Sequence, residues 1–288
     1  VGHIPVRIAL ATCQSLSDLF PSDRLLADAL ERSGVEAIPW IWDEEMPAGV
    51  EAVVVRTIWD YWHKVERFRS WLEKLDELGL PVINPLSTLQ WNLDKRYLFE
   101  LAEEGVTIPR TSWLEETRPL TSLHDELSSD VLVIKPAISA GGDDTFKVDR
   151  RDESDAQQRV DALVTKGPLL VQEFIEEVDD GELSLLFFGG EYSHTIIKRA
   201  APGEFRIHIE YGGTVDAIEP PAELIEQARH VMAQLPRPPA YARVDGLVRG
   251  SELVLMELEL IEPELFFDYR EGSAERFAEV IARQLVPL

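Results

Sequence analysis

Glutamates, among them Glu257, Glu259 and Glu262, interrupt an apolar run near the C-terminus, LVLMELELIEPELFF, from Leu253 to Phe267. Glu257 and Glu259 are two residues apart, so on a strand they share one face while Met256, Leu258 and Leu260 take the other. Glu262 falls off that alternation before Pro263 and belongs at a cleft margin or in a turn. Upstream, Asp245 sits in YARVDGL, a second β-rich run joined to the first by the short RGSE connection. If the two runs pair, Asp245 meets the acidic face. Clustered carboxylates repel one another unless a cation joins them, and Mg2+ takes hard oxygens. The other reading of this spacing is the solvated face of an amphipathic strand.

A second group of residues points to phosphate. In VIKPAISAGGDDTFKV, Lys135 ends an apolar strand and precedes a small-residue loop holding Ser139, Gly141 and Gly142. An unpaired buried ammonium is costly. Beside an anion, however, glycines let backbone N–H groups approach while the lysine supplies charge. A surface lysine next to an ordinary hairpin is the alternative, and no GxxxxGK[ST] occurs, so this is not a P-loop. Lys95, near the start of a helix over 92–104, and Lys198, following a strand of mixed polarity in HTIIKRA, fit solvated positions equally well taken singly. Together, the lysines upstream and acids downstream make a coherent nucleotide–magnesium site. On the substrate side, VVVRTIWDYWHK leaves a β run where an α/β domain binds ligands. Arg56 could there pair with a substrate carboxylate and Trp59 wall the pocket; the alternative makes Trp59 and Trp62 packing residues at a helix start.

The elements that must position these residues alternate at first between strand and helix. VRIALATC, VEAIPWIW, EAVVVRT and LPVIN read as strands, separated by helices in SDRLLADALERSG, with a stop at Gly34, and from Lys64 to Leu78. That pattern is a parallel sheet covered by helices. Later segments change character. GELSLLFFGGEYSHTIIKR reads as a hairpin turning at Gly189-Gly190, and YARVDGLV and LVLMELEL close the chain as strands before a last helix over 274–284. The fold class is therefore α+β built on an α/β first domain.

Composition limits the partners. Lys and Arg total 28 against 53 Asp and Glu, a formal charge of −25, and no basic stripe is available for nucleic acid or an anionic membrane. A single cysteine, Cys13, excludes an intrachain disulfide and reads as a buried structural thiol. No stretch approaches the roughly 18 apolar residues of a membrane span, and the N-terminus lacks a basic region followed by a long apolar one. The expectation is a soluble cytoplasmic protein.

The order of Lys95, Lys135 with its loop, QEFI, GE, Arg206, ARVD and E-x-E resembles the ATP-grasp superfamily, and most closely its glutathione synthetase and ribosomal-protein glutamate ligase branch. RTIWDYW and ELELIEP look like the ATP-grasp group that includes the enzyme closing the ring of D-cycloserine. The resemblance implies an ATP-grasp fold of two α+β subdomains enclosing ATP, over 91–170 and 171–288, behind an α/β preATP-grasp domain over 1–90. It implies an ATP-dependent ligase that activates a small amino-acid-like substrate as an acylphosphate, with ATP and Mg2+ and with homodimers common among relatives. Lys95 and Lys135 match the phosphate lysines, and Ser139 to Asp144 the lid. Gln172, Glu173, Phe174 and Ile175 match the hinge that reads adenine through backbone groups and one carboxylate, and Glu182 the acid near the ribose. Asp245, Glu257 and Glu259 match the metal ligands. Lys135, Arg206 and Arg243 would offset charge in the transition state, while Arg56, Trp59, Lys198 and His208 would face the substrate. Two departures stand out: Glu259 replaces the family's usual Asn, and His208 stands where close relatives carry Asn. A nucleotide-binding regulator or a carboxylate phosphotransferase on the same fold remains the alternative output.

Overall fold

The computed structural model describes residues 6–201 and 212–285, which build three sheets. The first contains β1 (Val6–Thr12), β2 (Val35–Ile41), β3 (Ala52–Thr57) and β4 (Val82–Ile83), all parallel in the order β2-β1-β3-β4. Its central strands are mostly apolar because both faces are covered. Ile8, Leu10 and Val54 pack on one side with α1 (Pro21–Arg32); Ala9, Val53 and Val55 pack on the other with α2 (Val65–Glu77). Gly34, at φ +79°, lets the chain turn out of α1 as expected.

Residues 92–104 do not form one helix. Two short helices, α3 (Leu86–Asn92) and α4 (Tyr97–Glu103), flank a turn that carries Lys95. The backbone N–H of Lys95 bonds to Ala137 O at 2.9 Å instead of continuing a helix. The Asn92 and Tyr97 side chains, one on each side of the turn, serve as hydrogen-bond partners for a distant strand.

The second sheet is antiparallel and ordered β5-β8-β6-β7, from β5 (Thr111–Leu114), β6 (Val131–Pro136), β7 (Phe146–Asp149) and β8 (Leu169–Glu173). α5 (Leu120–Leu127) and α6 (Ser154–Val164) bury apolar faces against it. The third sheet, ordered β11-β10-β9-β12-β13, contains β9 (Glu182–Phe188), β10 (Glu191–Arg199), β11 (Thr214–Ile218), β12 (Tyr241–Arg249) and β13 (Glu252–Glu259). Gly189 and Gly190 both take positive φ in the tight turn between β9 and β10, as a two-residue hairpin demands. α7 (Ala222–Ala233) packs on this sheet, while α8 (Ser273–Leu285) joins it to the first domain through Phe277, Ala278 and Ile281. No helix among the described residues is long and apolar enough to cross a membrane.

β12 and β13 pair as the sequence suggests, with Asp245 opposite Glu257 and Arg243 opposite Glu259. The alternation, though, breaks once. A bulge follows Asp245, where Gly246 pairs with Leu255 and Met256 is left as the extra residue. Gly246 has no room for a side chain, since a Cβ would lie 2.7 Å from Leu253 Cδ1 and 2.9 Å from Val254 O. Met256 consequently lines the cleft beside Glu257, not the core behind it.

Candidate active site

A cavity of about 590 Å³ opens where the three sheets meet. Lys95, Lys135, Ser139, Gly141, Gly142, Gln172, Glu173, Phe174, Ile175, Glu182, Lys198, Arg243, Asp245, Glu257, Glu259 and Trp59 all line it. Arg206 and His208 lie outside the described residues. One end is apolar: Ile175 and Leu247 pack with Val178 and Met256.

Charges alternate along the floor. Asp245, 3% exposed, accepts hydrogen bonds from Ser184 Oγ (2.5 Å), Arg243 Nε and Nη2 (3.0 and 2.9 Å) and Lys198 Nζ (3.2 Å). Burial opposes its charge, yet Arg243 and Lys198 hold its pKa well below the usual carboxylate range. Lys198 also pairs with Glu182 at 2.8 Å. Burial works against its charge too, but Asp245 and Glu182 raise its pKa overall. It was expected on the substrate side; it sits instead between the two acids, because β10 runs beside β9 and presents Lys198 opposite Glu182. Glu259 takes a hydrogen bond from Arg243. Burial, then Asp245 and Glu257 against only Arg243, push its pKa well up.

Lys95 donates to Ser139 O at 2.6 Å and pairs with Glu257 Oε1 at 3.1 Å, tying the small-residue loop to β13. Within that loop Gly141, Gly142 and Asp144 all have positive φ, and a Cβ on Gly141 would meet nothing within 4 Å. Ile138 and Ala140 anchor it against the first domain's core.

Lys135 is different. It is 9% exposed and, among the described residues, has no ion-pair partner. Burial lowers its pKa to about 8, partly offset by Glu257. An anionic ligand would favour its charged form, so above pH 8 binding must take up a proton. The affinity for an ATP analogue should therefore be flat near pH 7 and fall above pH 8, by up to about tenfold per pH unit. Titrations between pH 7 and 9.5 check this, and a flat profile would contradict it.

The hinge differs from expectation in its carboxylate. Glu173 accepts three hydrogen bonds from Arg110, from its backbone N–H (3.0 Å), Nε (2.9 Å) and Nη2 (2.6 Å), so its oxygens are already engaged. Gln172 is the hinge side chain left with capacity: Nε2 donates to Thr111 Oγ1, while Oε1 is buried with no partner. An amide oxygen of that kind suits an amino-group donor such as adenine carries.

Arg56 does not face the cavity. It is the extra residue of a bulge in β3, where Ala11 pairs with Val55 and Thr12 with Thr57. The side chain is fully buried, paired with Asp23 at 2.9 Å and donating to Pro263 O at 2.8 Å, so it holds backbone behind the cavity wall. Trp59 does face the cavity, with its Nε1 donating to Glu262 O at 2.9 Å. Glu262 itself is a cavity residue, only 8% exposed, and not a residue of the margin.

Reading by motif also missed the support around β13. This edge strand has its outer backbone groups satisfied by side chains: Asn92 bonds Leu258 O (2.7 Å) and Leu260 N (2.8 Å), and Tyr97 Oη accepts from Leu258 N (3.0 Å). A buried asparagine in the apolar run LQWNL was the available signal.

For a metal, the donor chemistry fits and the arrangement is incomplete. Asp245, Glu257 and Glu259 offer hard oxygens on one face, but among the described residues no three acidic or histidine side chains converge to hold an ion. Each carboxylate turns to a protein cation instead: Arg243 and Lys198 at Asp245, Lys95 at Glu257, Arg243 at Glu259.

Comparison with known proteins finds similar sequences and folds. Residues 8–84 match the family model for the N-terminal domain of the D-cycloserine synthetase DcsG, and residues 98–241 that for the ATP-grasp domain of prokaryotic glutathione synthetase. The cycloserine biosynthesis protein DcsG of Streptomyces lavendulae is 31% identical over 282 residues, spanning 91% of this chain and 93% of its own. A probable alpha-L-glutamate ligase of Trichodesmium erythraeum is 27% identical over 155 residues, about half of each chain. Among solved structures, D-cycloserine synthetase DcsG superposes with a TM-score of 0.87 at 28% identity, over 97% of this chain and all of that one. D-alanine–D-alanine ligase of Bacillus anthracis shares the fold at 16% identity, with a TM-score of 0.71 over 97% of this chain and 95% of its own.

Proposed function

Because the chain belongs to the ATP-grasp superfamily, in the group of D-cycloserine synthetase DcsG, we propose that it joins a carboxylate to a nitrogen through an acylphosphate. It is an ATP-dependent ligase acting on a small amino-acid-like substrate. The observation that carries the reaction type is the pairing of a buried cation without an ion-pair partner among the described residues, Lys135, with a floor of committed charges beneath a glycine loop. Phosphate is the ligand that such a cation and loop receive.

In this reading adenine lies against Ile175, Leu247 and Met256, with its amino group toward Gln172 Oε1. Glu182 lies toward the ribose. Lys95 and Lys135 meet the phosphates, and the loop from Ser139 excludes water that would hydrolyse an acylphosphate. Asp245, Glu257 and Glu259 would hold Mg2+, which when bound draws off negative charge from the phosphates. The substrate carboxylate attacks the γ-phosphorus and ADP leaves; Lys135 and Arg243 face the charge that develops. A nitrogen, on the same molecule if the product is a ring, then displaces phosphate. For the domains we propose 1–90, 91–170 and 171–288.

The test is the fate of an oxygen. A substrate carboxylate labelled with oxygen-18 should pass one labelled atom to the phosphate released in each turnover.

A further inference from the structure

We infer that the stretch after β13, residues 260–266, is a rigid wall on which Glu262 and Glu264 receive a cationic nitrogen of the substrate. This rests on the ligase reading above and names the feature by which the cavity selects its substrate.

The wall has no strand neighbour of its own; residues 260–266 form no regular element. Its carbonyls are held instead by side chains. Asn84 donates to Leu260 O (2.9 Å), Tyr241 to Ile261 O (2.8 Å), Trp59 to Glu262 O (2.9 Å) and Arg56 to Pro263 O (2.8 Å). Arg243 donates to Glu264 O (3.1 Å) and His194 Nε2 to Phe266 O (3.2 Å). Burial lowers the pKa of His194 to about 4, so near neutral pH the ring is neutral, with its Nε2 proton directed at Phe266 O. Most backbone groups bond to other backbone; six carbonyls in seven residues gripped by side chains fix this segment against both neighbouring domains.

What the wall presents is acidic and aromatic. Glu262, Glu264 and Phe266 line the cavity, while Leu265 and Phe267 are buried in the core behind it. Trp59, Tyr61 and Trp62 line the same end. Every other acid on the cavity floor already has a protein cation: Glu182 has Lys198, Asp245 has Arg243 and Lys198, Glu257 has Lys95, Glu259 has Arg243. Among the described residues, Glu262 and Glu264 have none. Glu262 is more than nine-tenths buried and, among the described residues, the Tyr61 hydroxyl is the one donor to its carboxylate. The Glu264 side chain has no hydrogen bond or ion pair among the described residues, since Arg243 reaches only its backbone carbonyl. Leaving a carboxylate uncompensated inside a cavity is unfavourable. Burial accordingly raises both pKa values to about 7. A ligand ammonium supplies the missing charge, and aromatic faces around it add cation–π attraction. Arg56 and His194 are positioning residues here: they act on the wall, not on the substrate.

The experiment is calorimetric titration of a panel of D- and L-amino acids, each against its N-acetyl form, into protein saturated with a non-hydrolysable ATP analogue and Mg2+. Wild type, Glu262→Gln, Glu264→Gln and the double variant are compared, with ADP release measured in parallel. The amino forms should bind at least about 100-fold more tightly than the acetylated ones, and each Glu→Gln change should weaken them by about 10- to 100-fold. The double variant should lose the preference, with melting temperature and analogue affinity held within about twofold. Equal binding of amino and acetylated forms overturns the inference, as do variants that retain the preference, variants that weaken only Mg2+ or nucleotide, and a panel in which nothing binds. If amino forms bind as described but no ADP is released, the inference stands and the ligase reading fails.

Discussion

Replacing Lys135 with methionine should lower turnover by about 10³-fold, the scale of removing a charge aimed at a transition state, while the folded protein becomes more stable. The two effects have opposite signs for one reason. Lys135 is a buried ammonium with no ion-pair partner among the described residues, and burial depresses its pKa to about 8. In the unfolded chain the amine keeps its ordinary value of 10.5, so at pH 7 both states are charged and the folded one carries the cost of desolvation. Methionine fills similar volume without that cost. Stability of the wild type should rise between pH 8 and 10.5, where the unfolded state binds more protons, and the variant should lack this rise. Thermal melts at pH 7 and pH 10 beside steady-state kinetics read out both arms. A destabilised variant would mean that Lys135 makes a structural ion pair, and an active one would remove it from the phosphate site.

Asp245→Asn should fail in a different way, losing both activity and stability. Its carboxylate neutralises Arg243 and Lys198 at once, and both are buried. Removing one partner of a buried pair leaves charge uncompensated, at a cost of about 3–5 kcal/mol. The pH dependence has a definite sign. Asp245 has a depressed pKa, so its contribution is present above the ordinary aspartate value of 3.8 and is lost as pH falls further. The gap in stability between wild type and variant should thus be widest near neutrality and close in acid. Denaturant melts at pH 7 and at about pH 2 measure it. Equal stability at pH 7 would show that the network on the cavity floor is not what holds β12 against β9 and β10.

The parts of this site that the sequence made legible are those written in short-range pattern. Asp245, Glu257 and Glu259 follow from strand alternation and a four-residue connection, and Lys135 follows from a charge ending an apolar strand before small residues. What escaped was set by single-residue shifts of register. The bulge at Arg56 turns a strand-end residue into the interior, and the bulge beside Gly246 brings Met256 into the cavity. Neither shift changes the apolar count of its strand, so periodicity carries no trace of it. The one helix expected over 92–104 divides because Asn92 and Tyr97 bond to β13, a partner more than 150 residues away. Glu173 similarly reads as an adenine ligand until Arg110, 63 residues earlier, is seen to engage it. Long-range pairing of polar groups is invisible to local pattern, and this cavity is built largely from such pairs.

The central claim is that a carboxylate of the substrate attacks ATP. The most direct measurement is mass analysis of phosphate released in a single turnover with the substrate carboxylate enriched in oxygen-18. The account predicts one labelled oxygen in each phosphate, with none acquired from labelled water when the substrate is unlabelled. Phosphate that draws its fourth oxygen from water would contradict it, because the γ-phosphoryl group would then have gone to solvent and not to the substrate.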